Sequence, residues 1–216
     1  MQNEQQNIST NKTSNSPSIS PLTVSPEKKE GFIKETLRFV IISLLIVVPF
    51  RYFIAQPFVV SGASMDPTFA NGEYLIVDQL SYRFEEPQRG DVVIFRYPRD
   101  PSKYFIKRII GLPFEKVDIQ NGEVYITEAS STERTKLPEV YLKNDRGGGN
   151  GHTVLSGSEY FVMGDNRTAS SDSRVWGPLQ KRLIVGTPLV RLFPITRLDI
   201  HPGSEEVTPT SRAKNE

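Results

Sequence analysis

Past residue 60 the sequence holds no stretch of helical period. What replaces it is a series of short runs of β-branched and aromatic residues, bounded by Gly, Pro and charged turns. Tyr74 to Val77, Asp91 to Tyr97, Tyr104 to Ile110, Tyr160 to Met163 and Leu183 to Val190 each predict a strand. Val117-Asp-Ile119 and Val124-Tyr-Ile126 flank Asn121-Gly122, a dipeptide suited to a two-residue hairpin turn. Short strands with short turns predict a mainly β fold built on antiparallel sheet. Residues 128–151 turn polar and end in a glycine-rich stretch, which predicts a mobile surface insertion. No internal repeat interrupts the series.

Before these strands lies a different composition. Residues 1–32 are dominated by Asn, Gln, Ser, Thr, Pro, Glu and Lys, too polar to offset the entropy of ordering. Phe39 to Phe50 is then apolar except for Ser43. Twelve helical residues cover only about 18 Å of a hydrocarbon core of about 30 Å. The flanks Ile33 to Leu37 and Tyr52 to Ala55 lengthen it, and Arg38 and Arg51 can snorkel to the two interfaces. A cleavable signal peptide and a buried soluble helix are the competing readings. The long polar tail ahead of the run argues against the first, and the lack of a second long helix against the second. An anchor over 33–56 is therefore expected. Lys28, Lys29, Lys34 and Arg38 precede the run and the next basic residue after Arg51 is Arg83, which predicts a cytoplasmic N-terminus. From about 202 to 216 the composition returns to that of a tail.

Over 216 residues, Lys+Arg 26 and Asp+Glu 25 leave a formal net charge of +1, which gives no electrostatic case for nucleic acid. With no cysteine, thiol nucleophiles, disulfides and zinc–thiolate sites are excluded. Two histidines, His152 and His201, are too few for a histidine metal site without carboxylate help, and no metal or cofactor is expected.

Three stretches carry chemistry. The first is Ser61-Gly-Ala-Ser-Met-Asp-Pro-Thr-Phe69, where Gly62 and Ala63 leave the backbone before Ser64 open to close approach. Alone it is ordinary turn chemistry. In the second, Tyr104-Phe-Ile-Lys-Arg-Ile-Ile-Gly111, strand alternation puts Lys107 on a face with Phe105 and Ile109, and Arg108 on the other with Ile106 and Ile110. Such a lysine is either an edge charge reaching for water or an amine held neutral by desolvation. The third, Gly164-Asp-Asn-Arg-Thr-Ala-Ser-Ser-Asp-Ser-Arg-Val-Trp-Gly177, mixes carboxylates, guanidinia and hydroxyls in one loop. The interleaved Arg167 and Arg174 argue against a calcium loop. Asn166-Arg-Thr168 fits a glycosylation sequon, as do two triplets in the N-terminal tail, and Ser25-Pro-Glu-Lys28 fits S-x-x-K without partner motifs; these are chance-level matches.

A serine hydroxyl needs a base to become a nucleophile. His152 lies in a glycine-rich loop and His201 near the tail, so lysine is the remaining candidate. Keeping it neutral near pH 7 means lowering its pKa by about 3 from about 10.4, a cost of about 4 kcal/mol.

In family order, Ser61 to Thr68, Arg89-Gly-Asp-Val-Val-Ile-Phe95, Lys107-Arg-Ile-Ile-Gly-Leu-Pro113 and Gly164-Asp-Asn-Arg…Ser-Asp-Ser-Arg174 resemble the four boxes of the type I signal peptidases, over roughly residues 33–200. The resemblance implies a Ser-Lys endopeptidase of signal-peptidase β fold over 57–201, behind one N-terminal transmembrane helix. It would remove signal peptides from exported preproteins at the outer face of the cell membrane. By motif position it implies Ser64 as nucleophile, Lys107 as general base and Ser170 as orienter of the amine. Asp172 with Arg174, and Arg108 with Asp165, would be supporting ion pairs. The Ser64 N–H would serve the oxyanion, and Phe58, Val60, Met65, Phe69, Phe105 and Ile106 would line pockets for small residues at −3 and −1. Implied partners are preprotein signal peptides and the lipid bilayer, with the protein a monomer. Gly62 stands where some members carry an oxyanion-hole serine, and Phe114 where the family has glycine. Competing readings are a Ser-Lys self-cleaving repressor, for which residues 1–56 supply no DNA-binding domain, a family member that has lost activity, and a membrane-tethered β-domain that binds exported partners without cutting them.

Overall fold

The protein is described by a computed structural model, which covers residues 29–53, 55–142 and 147–204. The tails fall outside the described residues apart from 29–32 and 202–204, as do 143–146 within the polar insertion.

The chain divides into two compact units, residues 1–43 and 44–216. A single long helix, α1 (Lys29–Phe53), crosses that boundary. Its side chains from Phe32 to Val48 are largely exposed, with Phe39 at 72% and Leu45 at 71%. The helix matches the expected anchor in place but not in character. Among the described residues no helix is long and apolar enough to cross a membrane. The physical reason lies in its first turns, where Lys34, Glu35 and Arg38 interrupt the apolar sequence.

Downstream, the described residues are mainly β. Strands β1 (Ala55–Val59), β2 (Tyr74–Asp78), β3 (Val92–Tyr97), β4 (Asp100–Gly111), β5 (Lys116–Gln120) and β6 (Glu123–Thr127) come first. They are followed by β7 (Arg134–Lys136), β8 (Gly151–Val154), β9 (Glu159–Met163), β10 (Leu179–Gln180), β11 (Ile184–Phe193) and β12 (Asp199–Ile200). One short helix, α2 (Ser173–Trp176), lies between β9 and β10. The larger sheet has the order β1-β2-β11-β3-β4-β9-β10 with β12 on β11, and the smaller the order β7-β6-β5-β8. Every strand pairing in both is antiparallel.

The β5–β6 hairpin turns on Asn121 and Gly122, both at positive φ (51° and 81°), the backbone that a right-twisted two-residue hairpin requires. Strand β4 starts earlier than its sequence indicates, because Asp100 pairs with Tyr97 across a bulge. The polar stretch 128–151 differs from the expected surface insertion. It supplies β7 and the first residue of β8, and Leu137, Glu139 and Tyr141 within it are buried.

Three apolar clusters hold these layers. One joins the smaller sheet to the ends of β4 and β9 through residues such as Ile110, Val117, Ile126 and Phe161. The other two take alternate residues of β3 and β4. Val93, Phe95 and Ile109 enter one with Phe105 against it, while Val92 enters the other with Ile106 against it. That third cluster also contains Val60, Met65, Phe69 and Leu75, so it forms the floor under the Ser64 loop.

Candidate active site

Lys107 is placed by strand pairing. It lies in β4, opposite Val93 of β3, at the point where the strand passes from exposed to buried residues. Because β4 is sandwiched between β3 and β9, this is no edge-strand charge free to reach water. Lys107 is 3% exposed. Burial pulls its amine down from the ordinary 10.5 to about 8, against the opposing pull of Asp172 and Asp165.

The serine comes from the loop between β1 and β2. That loop is closed at its base by Val60 N–H donating to Glu73 O and Gly72 N–H to Val60 O, both at 2.9 Å. Gly62 turns at φ +93°, a conformation that favours glycine, and its N–H donates to Asn71 Oδ1 at 2.8 Å. Met65 and Phe69, 1% and 0% exposed, plug the loop into the core beneath. The result brings Ser64 Oγ to 2.6 Å from Lys107 Nζ, whose other contact is the Ile106 carbonyl at 2.9 Å. Among the described residues no protein acceptor takes the Ser64 N–H, which leaves that donor available.

The third stretch supports the other two. Asn166 N–H donates to Ser64 O at 3.0 Å, tying the loop after β9 to the serine backbone. Arg108 and Asp165 form a fully buried two-point pair, with Nε–Oδ1 at 2.9 Å and Nη2–Oδ2 at 2.7 Å. Asp165 Oδ2 also accepts from Thr68 Oγ1 at 2.6 Å, so the pair reaches the exit of the serine loop. Asp172 and Arg174 pair in the same two-point way, at 2.8 and 2.7 Å. Asp172 also caps α2 and accepts the Gly164 N–H. Burial alone would raise its carboxyl, but the Arg174 guanidinium, the Ser170 hydroxyl and the Gly164 N–H hold it below the ordinary carboxylate range.

No hydrogen bond joins Ser170 to Lys107; its buried Oγ makes no well-aligned hydrogen bond but approaches Asp172, whose carboxylate it helps to stabilise. The expected pocket residues divide in two. Phe58, Val60, Phe105 and Ile106 line a cleft of about 450 Å³ that ends at Ser64 and Lys107. Met65 and Phe69 do not reach it, because the third cluster holds them beneath the loop. Leu75, Ile94, Tyr104 and Ala169 also line it, beside Val59, Lys103, Ser171 and the backbone before Ser64, and lie outside the expected set; Tyr104 meets Phe58 edge to face with centroids 5.2 Å apart. Their signal was weak, since an alternating strand residue reads the same whether it faces a core or a cleft.

His152 pairs with Asp118 at 2.7 Å on the smaller sheet, and neither it nor His201 lines the cleft. Phe114, where glycine was expected, adopts φ +68°, the left-handed backbone that glycine takes most easily. The turn geometry is thus kept without the glycine. Among the described residues no cluster of His, Cys, Asp or Glu could hold a metal ion.

A probable signal peptidase I-1 from Synechocystis sp. is 36% identical over 173 residues, covering 77% of this chain and 85% of that one. A signal peptidase I from Leptolyngbya laminosa is 31% identical over 194 residues, covering 86% and 92%. A crystal structure of a signal peptidase I from Enterococcus faecalis V583 aligns at 30% identity and a TM-score of 0.41, over 48% of this chain and 97% of that one. The model of the family described as signal peptidase, peptidase S26, matches residues 33–193, a span that takes in the serine loop, the lysine strand and the loop after β9. With that match over most of its length, the chain belongs to the signal peptidase family, peptidase S26.

Proposed function

We propose that this protein is a serine endopeptidase that removes N-terminal signal peptides from exported preproteins, with Ser64 as nucleophile and Lys107 as general base. The observation that carries the reading is the 2.6 Å approach of Lys107 Nζ to Ser64 Oγ, with the amine poised near 8 rather than 10.5. A base is most useful when its pKa lies near working pH.

The chemistry follows from these atoms. The neutral amine takes the Ser64 proton as Oγ attacks the scissile carbonyl. The Ser64 N–H stabilises the oxyanion, with Gly62 contributing no side-chain donor. The ammonium then gives its proton to the leaving amine of the mature protein. A water that loses its proton to the regenerated amine hydrolyses the acyl-enzyme. The mainly apolar cleft lined by Phe58, Val60, Phe105 and Ile106 supports selection of small residues at −3 and −1.

Membrane attachment through α1 is part of the proposal. It draws on the whole run Phe39 to Phe50 with its flanks, and on the exposed apolar side chains from Phe39 to Val48. The tail before Lys34 would be cytoplasmic and the β-domain outside, the protein acting as a monomer. Resistance of the protein to carbonate extraction, with the β-domain open to external protease in spheroplasts, tests the arrangement; a shielded β-domain and a digested N-terminal tail would reverse it. The enzymatic part is tested by detergent-solubilised protein on a preprotein, with Ser64→Ala as control. Cleavage at the signal-peptide junction by wild type alone is expected. Binding of the preprotein without cleavage by either would instead mean a tethered binding domain.

A further inference from the structure

The exit of the serine loop is held by a second set of charges that the motif-derived site does not include. Glu73, 1% exposed, sits at the start of the chain leading into β2 and contacts two guanidinia. Arg197 Nη1 donates to Glu73 Oε1 at 2.6 Å, and Arg191 Nε lies 3.0 Å from Glu73 Oε2, a charge contact without hydrogen-bond alignment. Each guanidinium turns a second nitrogen onto the serine loop. Arg191 Nη2 donates to Thr68 O at 2.8 Å, and Arg197 Nη2 donates to Pro67 O at 3.0 Å. Arg191 also lies 5.0 Å above the centre of the Phe69 ring, which anchors the same loop from below.

We infer that Glu73, Arg191 and Arg197 form a positioning clamp that holds the Ser64 loop at its C-terminal side and thereby keeps Ser64 Oγ in reach of Lys107. The clamp rests on the proposed Ser-Lys reading for its catalytic consequence, though not for its existence. The loop's other restraints are the N-terminal-side bonds at Val60 and Gly62, the Ser64 carbonyl itself, and one C-terminal-side bond from Thr68 Oγ1 to Asp165; only the clamp holds the loop's backbone at Pro67 and Thr68. Residues 65–69 turn tightly, with Phe69 N–H donating to Met65 O at 2.9 Å, so a shift at Pro67 or Thr68 is passed to Ser64 through a few stiff residues. An ångström of misplacement at a reacting atom is enough to lower a rate substantially.

The charges make a clean test possible. The cluster holds two guanidinia and one carboxylate, so removing Arg197 leaves a matched pair rather than an orphaned buried charge. Arg197 is also the more exposed of the two, at 39% against 7%. Arg197→Gln should therefore fold with Tm within a few degrees of wild type, yet lose about five- to tenfold in kcat, the worth of roughly one ordinary hydrogen bond. KM should stay within about twofold, because neither Pro67 nor Thr68 lines the cleft. The pH midpoint of kcat/KM should stay where wild type has it, because Lys107 is untouched.

Hydrogen–deuterium exchange on full-length protein in detergent gives the readout that needs no substrate. Peptides covering residues 61–70 should exchange faster in Arg197→Gln, while the distant β5–β6 hairpin should not change. Glu73→Gln, which releases both guanidinia, should show the same pattern more strongly, and Arg197→Lys should restore part of it. Unchanged exchange at 61–70 in both Gln variants would overturn the clamp. So would a kcat loss matched by a fall in Tm and by faster exchange throughout the domain. If wild type cuts no preprotein, the proposed function fails by itself, and the exchange result still decides whether the loop is clamped.

Discussion

A methyl group on Gly164 would come within 2.3 Å of the Ser64 carbonyl oxygen. The loop after β9 and the serine loop thus lie backbone against backbone, and only the smallest residue lets them meet. The same Cβ would also lie 2.3 Å from Ser170 Oγ, so the contact crowds three parts of the site at once. Gly164→Ala should push Ser64 away from Lys107 and lower kcat/KM on the order of a hundredfold. Activity within twofold of wild type would mean that the two loops are free to part.

Phe69 and Phe58 should separate stability from binding. Phe69 is fully buried in the cluster under the serine loop, so Phe69→Ala should lower unfolding free energy by about 3–5 kcal/mol. Phe58 lines the cleft and touches Tyr104, so Phe58→Ala should mainly raise KM and relax the exclusion of bulky residues at −1 and −3. Denaturant titration beside a peptide series varied at −1 reads both. Equal turnover of Ala and Leu at −1 by wild type would mean that these residues do not shape the pocket.

Ser170 offers a third separation. Its buried hydroxyl makes no well-aligned hydrogen bond, only an approach to the Asp172 carboxylate that it helps to stabilise. Ser170→Ala should then change stability by no more than about 1 kcal/mol. If the hydroxyl meets the amine only during turnover, kcat should fall without reaching zero. A variant that loses both stability and activity would make Ser170 a packing residue.

What the sequence reveals follows from which constraints are local. Asn121-Gly122 announces its hairpin because a two-residue turn is decided by two backbone angles. Arg108, Asp165, Asp172 and Arg174 are legible only through the resemblance to a family, by their positions in its boxes; residue types alone leave the loop after β9 open to a plain solvated reading. The fate of Met65 and Phe69 is not legible, since an irregular loop has no period to tell a side chain facing a cleft from one pinned in a core. Strand β7 was hidden for a similar reason: Arg134, Thr135 and Lys136 have little strand character and owe their place to pairing with β6. The Glu73, Arg191 and Arg197 cluster joins the start of β2 to β11 and the turn after it, which only tertiary structure brings together.

Lys107 gives the most exacting prediction, because its chemistry and its stability point opposite ways. As a base it must be neutral, so kcat/KM should rise with pH through about 8 and level off above it. Lys107→Arg should be as inactive as Lys107→Ala, since a guanidinium stays protonated throughout this range. Stability follows the same proton. The folded pKa lies below the ordinary 10.5, so between about 8 and 10.5 the unfolded chain holds a proton that the folded chain has lost. The residue therefore favours folding increasingly as pH rises through that window, and its penalty is fully present below about 8. The penalty amounts to about 3 kcal/mol. Lys107→Met should accordingly be inactive yet more stable than wild type at pH 7, by up to that amount, with the advantage shrinking towards pH 10. Unfolding curves at pH 7 and pH 10 for the two proteins measure it. A Met variant less stable at both, or an Arg variant that still cleaves preprotein at about pH 8, would show that Lys107 is held for structure and not as the base.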